Sequence, residues 1–198
     1  EHLPLDQRVE VMSQPDIRAK ILSEDPVKQS TFPLIHRILF TQMFRLGSPA
    51  NYTPSPEESI SAMAENLGVT PQEMAYDILL ENQGRGFIYA PLVNYANYTM
   101  DACAEMLDDP YSIMGLGDGG AHVGFILDAG YPTWLISYWN QKQKRYSVEE
   151  TVRRLTSDTA KAVGLFDRGR IAVGLKADFN VIDWSSVRAG DPYLISDL

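Results

Sequence analysis

One cysteine, three histidines and a shortage of basic residues set the first limits on this chain of 198 residues. Cys103 has no second cysteine to pair with, which excludes an internal disulfide and predicts a reducing, cytoplasmic setting. Lysine and arginine number 17 against 26 acids, a net charge of -9. That balance gives no basic footprint and argues against both nucleic acid and an anionic membrane surface as partners. No apolar run approaches the length of a membrane span, and the first residues show no basic-then-apolar signal pattern. His2, His36 and His122 are scattered, with no His-X-His and no metal-like spacing. Together with Asp118 they would supply the three protein ligands a catalytic zinc usually takes only if the fold gathered them. The chain opens on Glu1 rather than Met, which suggests a piece of something longer.

What is present is enough to fold. Hydrophobic residues make up 44% of the chain, sufficient for a core. Leu5–Met12 and Asp16–Ser23 read as short helices separated at Pro15. Phe32–Leu46 is strongly apolar, and its periodicity fits helix and strand alike; His36 within it reads as a packed core residue rather than a ligand. Ser48–Pro56 carries three prolines and is expected as a loop. Ser55-Pro56-Glu57-Glu58 and Thr70-Pro71-Gln72-Glu73 are two capping signatures, predicting helices to about Leu67 and through Leu80.

Gly86–Asn94 reads as a buried strand, with Tyr95, Asn97 and Tyr98 as loop residues or pocket lining beyond it. Met100–Leu107 reads as a helix and Asp108-Asp109-Pro110 as a turn. Tyr111–Leu116 then reads as a second buried strand, completing a βαβ unit with Phe87–Asn94 and Ile113–Gly117 parallel. Tyr131–Gln141 is aromatic and helical in pattern. Ser147 caps a helix expected to turn Val152, Leu155, Ala160 and Val163 toward a core. Ile171-Ala172 and Phe179–Asp183 read as a hairpin-like pair of strands with Asp178 as a turn residue, and Ser185–Leu198 as a loose tail.

The stretch Met114–Gly124 stands apart: an apolar run ends in Asp118, followed by Gly119, Gly120 and His122. Gly117 lets the backbone turn, and the two glycines after Asp118 leave no side chain to block a ligand. In parallel α/β proteins the C-terminal end of a strand is where catalytic groups are placed. A carboxylate and an imidazole four residues apart would bind a metal or move protons there. The same residues also suit a glycine-rich turn with a capping aspartate.

Gly117–Gly124, followed by Asp128-Ala129-Gly130-Tyr131-Pro132-Thr133, resembles the N-acyl-D-amino-acid deacylase (D-aminoacylase) group of the metal-dependent amidohydrolases. A second block is similar to the return strands of amidohydrolases at large. It runs through Leu155–Ala160, Asp167-Arg168-Gly169-Arg170-Ile171 and Gly174–Asp183. The resemblance implies that Asp118 ends the last barrel strand, contacts an active-site zinc and carries a proton from the metal-bound water to the leaving amine. It gives His122 a loop or substrate-facing role and makes Gly119 and Gly120 the open part of the substrate loop. The family's zinc-binding histidines and cysteine precede the matched region, and Cys103 does not match that cysteine.

The resemblance therefore implies an α/β fold: the C-terminal part of a (β/α)8 TIM barrel over 1–165, return strands of a small β-sandwich domain over 166–185, and a tail over 186–198. The substrate expected is an N-acyl (D-)amino acid, with zinc as cofactor in the complete enzyme. The isolated chain is expected to be inactive and to associate with the missing part of the barrel or with another copy. The competing readings are a non-catalytic subunit and an α/β binding module completed by a partner chain.

Overall fold

The computed structural model describes residues 3–24, 39–91, 94–115 and 130–193. They fall into two compact units, Glu1–Cys103 with Tyr193–Leu198, and Ala104–Pro192.

In the first unit, α1 (Leu5–Met12) and α2 (Pro15–Leu22) form where the sequence places them. After a 3₁₀ turn at Phe40–Gln42 the chain enters β1 (Phe44–Leu46). Ser55 starts only a second 3₁₀ turn, Pro56–Glu58, with its amide donating to the Glu58 carboxylate at 2.7 Å. The helix expected from that cap instead begins at α3 (Ile60–Leu67), capped by Ser59, whose hydroxyl accepts from the Ala62 amide at 3.2 Å. The cause is Ser59 itself: its backbone is extended and bridges Phe44, so the helix begins at Ile60 rather than at Pro56. Gly68 closes α3 at φ +68°, the left-handed conformation that glycine adopts without cost.

α4 (Pro71–Gly84) carries the capping box as expected, with Thr70 and Glu73 exchanging bonds at 3.2 and 2.8 Å. Its regular winding stops before Glu81, and Asn82, Gln83 and Gly84 turn left-handed in succession. Left-handed backbone costs a residue with a side chain roughly 1–2 kcal/mol. Replacing exposed Gln83, at φ +61°, with glycine is therefore expected to raise stability by about 0.5–1 kcal/mol after the added freedom of the unfolded chain is subtracted. Urea denaturation of the two proteins checks this.

The turn leads into β2 (Phe87–Tyr89), which pairs antiparallel with β1 in the register Phe44↔Tyr89, Arg45↔Ile88, Leu46↔Phe87. Ile60, Ala64, Met74 and Ile78 form the core beneath, with Phe40, Met43 and Ile88 packed against it. Phe44 is enclosed by Tyr89, Tyr95 and Tyr98 at ring separations of 6.3–6.4 Å. Tyr95 donates to the Pro54 carbonyl at 2.7 Å and Tyr98 to that of Thr41 at 3.0 Å. These tyrosines are packing residues, and Asn97 is exposed.

This differs from the expected parallel pair. The strand predicted over Phe87–Asn94 stops at Tyr89, two residues before Pro91, which has no amide to continue a ladder. Ile113–Gly115 has no strand structure; Ile113 is half exposed and Tyr111 almost wholly so. Residues 116 and 117 lie outside the described residues. Among the described residues the β1–β2 pair is the only sheet, so they display no βαβ unit, barrel or sandwich.

α5 (Asp101–Asp108) carries the chain into the second unit. There α6 (Tyr131–Trp134) runs directly into a π-helix, Leu135–Lys142. α7 (Val148–Leu155), capped by Ser147 at 3.1 Å from the Glu150 amide, and α8 (Ser157–Ala162) follow. The buried set is Ala104, Leu135, Ile136, Tyr138, Trp139, Asn140, Tyr146, Thr151 and Ala160. Thr151 rather than Val152 is the fully buried position of α7, and its hydroxyl is satisfied within the helix by donating to the Ser147 carbonyl at 2.8 Å. Val152 and Val163, expected inward, are exposed.

The hairpin expected from Ile171-Ala172 and Phe179–Asp183 is not formed, and Ile171, Val173, Phe179 and Val181 stand in solvent. A lone two-stranded hairpin is marginal in water, and neither stretch pairs with another strand among the described residues. The loop between them is held instead by Asp178, paired with Lys176 at 2.9 Å and Arg168 at 3.7 Å.

Candidate functional site

Asp118, Gly119, Gly120 and His122, the residues singled out from the sequence, lie outside the described residues, as do His2 and His36. The structure describes their flanks: irregular chain to Gly115 on one side, and Gly130 leading into α6 on the other. Cys103 is half-buried, its sulfur 3.5 Å from the Asn94 carbonyl, and burial pushes its thiol pKa up. A thiol so placed is a poor nucleophile.

The densest polar cluster of the second unit was not foreseen. Asp108 ends α5, where a negative charge meets the negative end of the helix dipole. Arg145 compensates with an ion pair to one carboxylate oxygen, and the Tyr146 hydroxyl donates to the other at 2.8 Å. Arg154 lies over the Tyr146 ring at 4.2 Å, donates to the Leu107 carbonyl at 2.6 Å and pairs with Glu150 at 3.0 Å. Only the Glu150–Arg154 spacing of four residues was legible beforehand. Asp108 and Arg145 are 37 positions apart, and no local pattern joins them.

This cluster is built for cohesion. Hydrogen bonds from Arg145 and then Tyr146 hold the Asp108 carboxyl below its ordinary range. Burial, and then its bond to Asp108, push the Tyr146 hydroxyl up. A carboxylate so stabilised is a weak base, which argues against Asp108 as a proton acceptor at neutral pH. A lowered folded pKa contributes stability that is complete above the unfolded value, about 3.9, and is lost as pH falls through the folded value. The melting temperature of wild type is therefore expected to drop more steeply below about pH 4 than that of Asp108→Asn. Thermal melts from pH 7 to pH 2.5 on both proteins test this.

In the first unit Arg18 bridges Asp77 at 3.0 Å and Glu73 at 3.4 Å, tying α2 to α4. Both contacts are solvent-facing and contribute little. Among the described residues no three His, Cys, Asp or Glu side chains come together to hold a metal ion. None of their helices is long and apolar enough to cross a membrane.

The identity of the chain is carried by its sequence over most of its length. The profile of the amidohydrolase family matches residues 39–196. The chain belongs to the amidohydrolase family. No curated protein and no solved structure matches it. Amidohydrolases are hydrolases of TIM-barrel type that typically use metal ions. The described residues of this amidohydrolase are rich in helix, and they contribute no metal-ligand set.

Proposed function

We propose that this amidohydrolase acts on the amide bond of N-acyl amino acids, with the D-series as the expected stereochemistry. The observation that carries the reading is the coincidence of the family match over residues 39–196 with the block Gly117-Asp118-Gly119-Gly120-Ala121-His122-Val123-Gly124 inside it. That block is what resembles the deacylase group; the family match alone supports hydrolysis in general.

Zinc, when bound in the complete enzyme, supplies a water acidified toward neutrality. The Asp118 carboxylate is the group of this chain that would take up the proton of the attacking water and return it to the leaving amine. Gly119 and Gly120, having no side chains, would leave room for the acyl amino acid, and His122 would take a loop or substrate-facing role. Since 1–165 would be the C-terminal portion of a barrel and 166–185 the return strands of a small β domain, the metal ligands would come from elsewhere in the complete protein. Exposure of Ile171, Val173, Phe179 and Val181 supports association with a further segment or another copy.

The test is a panel of N-acetyl amino acids in both enantiomers, given to the metal-loaded full-length protein with release of free amine as readout. Amine release from the D-series supports the proposal. Release from the L-series alone overturns the stereochemical part, and release from neither overturns the substrate class.

A further inference from the structure

The winding of Leu135–Lys142 calls for an explanation of its own. A π-helix is rare because its hydrogen bonds are made in poorer geometry than those of an α-helix, and one that persists needs contacts from outside. Here the Gln143 amide donates to the Tyr138 carbonyl, five residues back, at 2.8 Å. Along the same helix, Tyr138 stacks on Trp134 of α6 at 4.5 Å and Lys142 covers the Tyr138 ring at 5.5 Å. Both pairs are four residues apart and would suit an α-helix equally, so neither selects the π form.

Contacts from outside the segment are made by Asn140 and its neighbour Gln141. Asn140 is buried, and both ends of its amide are used: Nδ2 donates to the Tyr146 carbonyl at 2.8 Å, and Oδ1 accepts from the Trp184 indole at 3.0 Å. Its neighbour Gln141 donates from Nε2 to the Trp184 carbonyl. Trp184 is half-buried in a run whose neighbours on either side, Phe179–Asp183 and Ser185–Ser186, are exposed. Rewinding by one residue to α form would rotate Asn140 and Gln141 by about 100° against the following turn. They could not then keep both ends of Trp184, and a buried amide would lose its partners.

We infer that Trp184 is a clasp that selects the π winding of Leu135–Lys142, and that freeing it lets the segment rewind as an α-helix. The device couples the C-terminal stretch around Trp184 to the helix that follows the glycine block in sequence. It is independent of which substrate the enzyme takes.

The experiment uses isotope-labelled full-length protein and reads hydrogen-bond partners from scalar couplings across the bond by NMR. In wild type the Gln143 amide is expected to couple to the Tyr138 carbonyl. In Trp184→Phe, which keeps an aromatic ring and removes the indole N–H, it is expected to couple to Trp139 instead. Gln143 exchange should quicken at least about tenfold, while amides of Val152–Leu155 in α7 keep their protection. Gln141→Ala, a milder change, should shift the same coupling in the same direction. Retention of the Tyr138 coupling in both variants overturns the inference, as does a Trp139 coupling already present in wild type. Loss of protection throughout α7 in both variants, or failure of both to fold, also overturns it, because Trp184 would then support the whole unit rather than the winding.

Discussion

Asp118→Asn in the complete, metal-loaded enzyme is expected to hydrolyse N-acyl amino acids at least about a hundredfold more slowly than wild type, with a thermal stability within about 1 kcal/mol of it. Asparagine keeps the size of the side chain and its capping ability but cannot take a proton from water. A general acid–base group is a transition-state function, so the loss should fall on kcat and on kcat/KM alike while leaving KM near its wild-type value. A turn residue would give the opposite pattern: a small loss of stability and an unchanged rate. Steady-state kinetics and a thermal melt on the same preparation separate the two. Full activity in Asp118→Asn would leave the chain without a nominated catalytic group.

Gly86→Ala is expected to be among the most damaging single substitutions in the first unit, costing about 3 kcal/mol or more in urea denaturation. A Cβ at this position would run into the carbonyl oxygen of Ile78 and lie 2.9 Å from its carbonyl carbon. Those are backbone atoms of α4 at a residue with no exposed surface, so they cannot swing aside as a side chain could. Gly68→Ala is the control. Gly68 is left-handed at φ +68° but has nothing within 4 Å of a Cβ, so its loss should cost only about 1 kcal/mol. Equal costs at the two glycines would mean that Gly86 and the Ile78 backbone of α4 do not approach as closely as described.

The two substitutions also mark what was legible in the chain. Local chemistry was: Thr70, Pro71 and Glu73 specify the start of α4, and Ser147 that of α7, because a cap needs only residues three apart. The course of the chain after α4 was not. Nothing in Glu81-Asn82-Gln83-Gly84 announces three successive left-handed residues, and Phe87–Tyr89 gives no sign that its neighbour would be Phe44–Leu46. That pairing crosses more than 40 positions and is antiparallel, where the apolar pattern alone suited a parallel sheet equally well. The Asp108–Arg145–Tyr146 cluster was missed for the same reason of distance. The π-helix was hidden because its stacked aromatic pair keeps α-helical spacing, while the residue that selects its winding, Trp184, lies 44 positions beyond Asn140. The candidate site was legible only as a local motif, Asp118 to His122, and its geometry lies outside the described residues.

Hydrolysis in ¹⁸O-labelled water tests the central claim most directly. The metal-loaded full-length protein is incubated with an N-acetyl-D-amino acid, and the released acetate and amino acid are weighed by mass spectrometry. Addition of water across the amide breaks the C–N bond, delivers the oxygen to the acyl carbon and the proton to the amine. The account predicts one labelled oxygen in the acetate and none in the amino acid. A folded, metal-loaded protein that releases neither product, or that releases acetate without the label, would contradict it.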